Sequence, residues 1–488
     1  MLVRLSNHPF FRIFPAIMLP MFLAVIDQTI VSTALPAIAT SLGSPERVSW
    51  VIVSYLVATT IAAPVYGNLG DSFGRRRMMM IGLAVFIGAS LLCASATSIE
   101  WLTLARIVQG LGGGGLMTCA QALVGETVPP RERARYQGFL AAVIVSATTV
   151  GPVVGGLLTE TFGWRSIFLA SVPIGLLAML IATRLPPPSG TPLRRRFDWL
   201  GLTLFVAFVV PLLLGLEQAR DFDTTGTLAV IGCLAISIAA LVVLVRWERR
   251  IEAPLLPLSL LRRPALWHAN ALAVFHGGLI VSLITFLPLY MRVVRGMSAA
   301  ESGLVLLPLT ACVGLGSMIT GWLVTRTGRT AAFPSWGLMV VSAGMIALVL
   351  VGDRLDVMGL TILLAVIGAF LGTTMGVVQV IVQFVAGPAV LGSAAGFVQF
   401  SRSIGAAIGT AVAAAVLFTV LEANGALAVH YFGALLANGP SALAALPAPQ
   451  QIAVETAVAH GFKAVFSALS VFAVAATLLA WLIPVRRI

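Results

Sequence analysis

The stretch Gly67-Asn68-Leu69-Gly70-Asp71-Ser72-Phe73-Gly74-Arg75 separates two long apolar runs. It returns as Gly321-Trp322-Leu323-Val324-Thr325-Arg326-Thr327-Gly328-Arg329, with Gly, Leu, Gly and Arg in register at a constant shift of 254 residues. The second copy carries Thr325 where the first carries Asp71. A turn that repeats about half a chain later predicts two related halves. Such halves built around a midplane site are the expected plan of a secondary transporter.

Composition sets the medium. The chain is 59% hydrophobic and 10% charged, with a mean hydropathy of +1.02. Soluble domains carry about 25% charged residues. Apolar runs of about 20 residues, the length a helix needs to cross hydrocarbon, recur from end to end. The short alternating segments of a membrane barrel are absent. We place fourteen spans near 14–39, 49–68, 78–98, 101–124, 134–159, 165–184, 198–217, 226–246, 267–291, 298–324, 333–351, 356–384, 391–421 and 461–484. The expected fold is an all-α integral membrane protein. Residues 1–184 would form one six-helix bundle and 267–488 the other. Residues 185–266 would form a linker with two inserted transmembrane helices, bounded by the loops Leu185–Phe197 and Trp247–Pro264.

The net charge of +12 follows topology. With both termini inside, 21 Arg or Lys fall on the inner side, 7 on the outer side and 2 within spans. The inner groups include Arg75–Arg77, Arg131/Arg133/Arg135, Arg194–Arg196, Arg249/Arg250, Arg262/Arg263 and Arg486/Arg487. This bias puts both termini in the cytoplasm. The basic residues form no single patch, which excludes nucleic acid as a partner. Cys93, Cys119, Cys233 and Cys312 lie inside spans without metal or redox spacing, and no metal site is expected. The first apolar segment is too long for a signal-peptide core and carries an acid, so it reads as a retained span.

That acid is Asp27, in Ile26-Asp27-Gln28-Thr29-Ile30-Val31-Ser32-Thr33-Ala34-Leu35-Pro36. A carboxylate at such depth marks an ion or substrate pathway. Burial favours the neutral acid and a neighbouring guanidinium favours the ion, so local geometry can switch it. Arg106 is the candidate partner. It lies roughly 8 Å into its span from the outer end, and Asp27 roughly 13–18 Å into its own, by the helical rise. A direct pair and a water bridge both fit that difference in height. At the inner edge, Gly67, Gly74 and their neighbours permit a tight turn, while Asp71, Arg75 and Arg76 place opposite charges that can latch helices in one state. In the fifth span, Gly151, Gly155 and Gly156 would give a face without side chains for close packing. Pro152 frees a carbonyl there and can bend the helix.

Arg402 is a second deep charge, set among Ser401, Ser403, Gly405 and Gly409. His276 reads as a packing histidine. Gln28, Tyr55, Gln109, Phe275, Gln379, Gln383, Gln399 and Arg402 are candidates for a substrate cavity. A few polar groups in an apolar cavity suit lipophilic, amphipathic molecules. The outer segment from Glu422 to His460 has almost no charge in its middle and would form a short interfacial helix or a partner contact.

Several of these motifs resemble one family. Gly67–Arg76 is similar to the signature loop between spans two and three of the major facilitator superfamily. Arg106-Ile107-Val108-Gln109-Gly110 resembles its Arg-x-x-Gln-Gly motif. Ala147-Thr148-Thr149-Val150-Gly151-Pro152-Val153-Val154-Gly155-Gly156 resembles the antiporter motif of its drug exporters, with Ala147 replacing the first glycine. Asp27 to Pro36 matches the first-span pattern of the fourteen-helix drug:proton antiporters. The resemblance implies a major facilitator fold in a bacterial-type cytoplasmic (inner) membrane. It implies proton-coupled efflux of lipophilic drugs or toxic compounds by alternating access, with no cofactor beyond the coupling proton. Asp27 would carry the proton, Arg106 would tune it, and Asp71 with Arg75 would latch the cytoplasmic side. The antiporter motif would seal against leak. Proton and substrate would compete for one cavity. The partners would be lipophilic small molecules, membrane lipid and, as in some relatives, a periplasmic adaptor protein. The alternatives are an exporter dedicated to one metabolite, lipid or siderophore, and a non-transporting scaffold or sensor. No P-loop, metal cluster or nucleophile constellation points to an enzyme.

Overall fold

The computed structural model describes residues 9–43, 47–185, 197–218, 224–443 and 446–488. The linker residues 186–196, with Arg194–Arg196, lie outside them. The helices are α1 (Pro9–Leu42), α2 (Trp50–Phe73), α3 (Arg75–Ala94), α4 (Ile99–Thr127), α5 (Arg133–Phe162), α6 (Arg165–Ala182), α7 (Trp199–Gln218), α8 (Thr224–Glu248), α9 (Pro264–Val293), α10 (Ala299–Thr327), α11 (Ala332–Val351), α12 (Val357–Ala386), α13 (Leu391–Ala423), α14 (Ala426–Asn438) and α15 (Ala448–Leu482). All but α14 are long and apolar enough to span a membrane, giving fourteen candidate spans among the described residues. The fold is all-α, two six-helix bundles with an inserted pair.

The last span differs from expectation. It begins at Ala448, well before residue 461, because Val454, Ala457 and Val458 are buried against the second bundle and extend the helix past Glu455 and His460. The preceding segment does form a short helix, α14, whose Phe432 packs edge-on against Phe418 of α13 at 5.7 Å.

Helices α1–α6 share buried cores around Met21, Leu83, Phe86 and Leu116, and around Val31, Ile99 and Phe168. Helices α9–α15 share another, around Leu272, Leu283, Leu364 and Phe462. The inserted α7 leans on the joint between the bundles. Its Phe205 and Val209 are fully buried in a cluster with Ile61 of α2 and Phe400 and Ile404 of α13. Phe205 meets Phe400 at 5.1 Å. Its partner α8 exposes Leu228, Ile231, Ile236 and Ile238. A row of large apolar side chains facing outward is what lipid contact requires.

The repeated turn organises the joint. Gly74, at φ 93°, is the one residue between α2 and α3, and Gly328, at φ 67°, ends α10. Both conformations favour glycine. Gly67 lies so close to the Gly392 carbonyl of α13 that a Cβ would clash with it. Gly321, its counterpart in the repeat, lies equally close to the Ala134 carbonyl of α5. Thus α2 against α13 and α10 against α5 are matching contacts between the bundles. Both sit at the end of the molecule that holds Asp71. The chain's last residues lie there too, where Thr330 donates to the Arg486 carbonyl at 2.9 Å and Ile488 to the Gly328 carbonyl at 2.9 Å.

Candidate functional site

Helix α4 carries the run Gly110-Leu111-Gly112-Gly113-Gly114-Gly115, which sets the site. A Cβ on Gly110 would strike the backbone of Tyr55, and one on Gly114 the backbone of Thr59. A Cβ on Gly113 would fall on the Tyr55 hydroxyl. Side-chain-free contact therefore brings α4 against α2 and sets which way Arg106 points.

Arg106 and Asp27 form a direct ion pair, with 1% and 0% of their side chains exposed. Arg106 also donates to the Gln109 Oε1 at 2.7 Å and to the Val51 carbonyl at 3.2 Å. Its guanidinium lies over the Tyr55 ring, 4.1 Å from the centroid. Gln109 donates to Asp27 Oδ1 at 3.0 Å and to Ser90 Oγ at 2.9 Å. Tyr55 donates to the Ala24 carbonyl at 3.1 Å. Both Asp27 oxygens are thus held by nitrogen donors from α4. A charge buried this deep persists only when paired and hydrogen-bonded. Removing one partner of such a pair costs about 3–5 kcal/mol. Arg106→Ala should lose about that much stability, read as a lowered unfolding temperature in detergent. Adding Asp27→Asn should restore part of it, because the orphaned carboxylate is gone.

The expected latch is a network across the bundles. Asp71 accepts from the backbone N–H of Gly392 and of Ser393, each at 2.8 Å, and from Ser393 Oγ at 2.9 Å. These amides begin α13, where helices have unsatisfied donors and favour an anion. Arg75 holds the same carboxylate at 2.7 Å and Glu126 of α4 at 2.6 Å. Arg76 stands apart from this network and donates to the carbonyl of Thr183, which caps the end of α6, at 2.7 Å. In the second copy of the turn, Thr325 donates to Gly321 of its own helix at 2.9 Å. Among the described residues the network therefore has no counterpart at the repeat-related turn.

The glycines of α5 divide. Gly151 packs on Thr29 and Gly155 on Thr33 and Ile30 of α1, so closely that neither tolerates a Cβ. Gly156 has open space at that point, contrary to the face of three expected. Residues 151 and 155 are a turn apart, whereas 156 is rotated by about 100°. Pro152 points outward, within a helix that continues unbroken to Phe162.

The cavity candidates do not gather in one place. Tyr55 and Gln109 belong to the Asp27 site. Gln28 lies beside it on α1, partly buried. Phe275 packs edge-on against Phe472 at 5.4 Å, and Gln399 is partly buried on α13. Gln379 and Arg402 line a cleft between the bundles with Gln121, Gln137, Leu140, Ala141, Ile144, Met375 and Gly376. Gln383, next to it, donates to the Gln121 carbonyl across the joint at 3.0 Å. The cleft has room for about one water molecule. It lies about 18 Å along α4 from Gln109, counting from residue 109 to 121. The Asp27 cluster and the cleft are therefore two polar layers, where the sequence led us to expect one cavity. His276 is buried and bonded to the Leu371 carbonyl at 3.2 Å, as a packing histidine would be.

Residues 17–410 match the Major Facilitator Superfamily. The chain belongs to that superfamily. It is a multi-pass membrane protein of a family of transporters. An uncharacterized MFS-type transporter of Mycobacterium tuberculosis is 32% identical over 90% of the chain, which spans 63% of that relative's length. The multidrug transporter protein MdtP of Bacillus subtilis is 29% identical over 82% of the chain and 74% of its own length. The proton:xylose symporter XylE shares the fold, with a TM-score of 0.62 at 15% identity, covering 97% of this chain and 95% of its own.

Proposed function

We propose that this major facilitator exports lipophilic compounds across a bacterial cytoplasmic membrane in exchange for protons, with both termini in the cytoplasm. The observation that carries the reading is the fully buried Asp27, paired with Arg106 and Gln109 inside the first bundle. Protonating Asp27 would cancel one half of that pair and free the guanidinium to rearrange. A buried group whose charge state and partners change together is suited to couple proton uptake to a conformational change. Positions 28, 32, 36 and 40 of α1 fall on one helix face, and Ser32, Pro36 and Thr40 are exposed. That strip leads from beside Asp27 toward the end opposite Asp71 and would admit protons from outside. The inter-bundle contacts described above lie at the Asp71 end, so the conformation described is closed on the side we assign to the cytoplasm. Because the cleft and Asp27 are separate, proton and substrate would compete through conformation: each favours a different arrangement of the bundles. A proton gradient and a membrane potential, at about 2.3 kcal/mol per charge per 100 mV, supply the drive.

Proteoliposomes with an imposed pH gradient and a panel of lipophilic cations, neutral compounds and anions test this. Uphill movement of several compounds is expected, abolished by collapsing the gradient. Movement of a single compound would point to a dedicated exporter. Movement indifferent to the gradient would refute proton coupling.

A further inference from the structure

The cleft between the bundles carries one charge and it is positive. Among the described residues Arg402 makes no ion pair, and its Nε is buried with no hydrogen-bond partner. The carboxylates nearest in role are already engaged: Asp27 by Arg106 and Asp71 by the start of α13. Around Arg402 the amides are left open. Gln121 Oε1, Gln137 Nε2 and both polar atoms of Gln379 are buried without a partner. Burying such an atom without a partner is costly. A group of them in one place is arranged for something that enters.

What enters is constrained by charge. A cation would meet the Arg402 guanidinium with no carboxylate to offset it. An oxyanion would gain a charge-assisted, two-point hydrogen bond from the guanidinium. Glutamine NH₂ groups can donate to the same anion, and glutamine oxygens can accept from a neighbouring hydroxyl or amide. Ile144 and Met375 flank the polar groups and can receive an apolar body, methionine being adaptable in shape.

We propose that Arg402, with Gln121, Gln137 and Gln379, is the recognition site for the acidic group of an amphipathic organic monoanion. This rests on the export reading and narrows its substrate class. The cleft is nearly shut in the conformation described, and the ligand would enter as the bundles part.

Three probes of one shape decide it: pyrenebutyrate, its uncharged amide and pyrenebutylammonium, each titrated by fluorescence into the full chain in detergent. The carboxylate should bind at least about tenfold more tightly than the ammonium, a difference of about 1.4 kcal/mol, since a hydrogen bond between charged groups outweighs one between neutral groups. Arg402→Gln should remove that preference while leaving the amide's affinity within about threefold, and Arg402→Lys should retain most of it. Equal or tighter binding of the ammonium, or no binding of the carboxylate, would overturn the proposal. So would a loss in Arg402→Gln that is as large for the amide as for the carboxylate. Should Arg402→Gln not fold, the charge preference of the wild type and of Arg402→Lys still decides. Gradient-driven export of the amide without preference for the carboxylate would sink this proposal and leave the export reading standing. Absence of gradient-driven export for every compound of the wider panel would sink the export reading itself.

Discussion

Asp27→Asn is expected to reduce gradient-driven accumulation in proteoliposomes to the level of empty liposomes, while exchange of substrate at equal concentrations continues. The substitution is nearly isosteric. Its amide oxygen can still accept from Arg106, but the side chain can neither take up nor release a proton. The variant would thus hold the site in a fixed charge state resembling the protonated one. It should also unfold at a lower temperature than the wild type, because Arg106 keeps its charge with 1% exposure and loses its counter-ion. The loss should be smaller than for Arg106→Ala, which leaves a carboxylate with fewer donors. Accumulation at wild-type rates in Asp27→Asn would move the coupling site elsewhere.

Asp71→Ala should release the latch. Three hydrogen bonds from α13 converge on this carboxylate across the joint, and each is charge-assisted. Losing a net 1.4 kcal/mol of them shifts the equilibrium between conformations about tenfold, and the full set should exceed that. Spin labels at the exposed positions Phe73 and Ala389, in a background without the four cysteines, would report the separation of the end of α2 from the turn that leads into α13 by pulsed electron resonance. The expected result is a broad, longer distance in Asp71→Ala. Thr325→Ala, at the repeat-related position, should leave the distance unchanged because its hydroxyl bonds only to its own helix. An unchanged distance in Asp71→Ala would show that packing of Gly67 against Gly392 holds the joint without the carboxylate.

The spans, the inserted pair and the repeat were legible because apolar run length and glycine punctuation are local signals. The Asp27–Arg106 pair was legible only in part. Counting residues along two helices gives heights but not rotations, so a direct bond and a water bridge looked alike. The rotation is set by the glycines after Arg106: Gly110 and Gly113 seat α4 on Tyr55. That run was present in the sequence, and reading it as a contact face would have chosen the direct pair. Gln121 and Gln137 were missed for a different reason. A single glutamine on an apolar helix looks the same whether it packs or lines a cleft. What joins it to Gln379 and Arg402 is contact between bundles, more than 200 residues away in the chain. Ser393 and Glu126, which complete the latch, are ordinary in sequence and gain meaning only beside Asp71 and Arg75. Gly156 was misread because adjacency in sequence was taken for adjacency on a face.

The central claim is that substrate and proton favour different conformations through Asp27. Linkage then requires substrate binding to change the proton occupancy of the protein. We would add a substrate found in the export panel to lightly buffered, detergent-solubilised protein across a pH series, following a pH indicator. The account predicts proton release from the wild type over a window of pH and none from Asp27→Asn, with the substrate still bound. No release from the wild type at any pH, or equal release from both proteins, would contradict it.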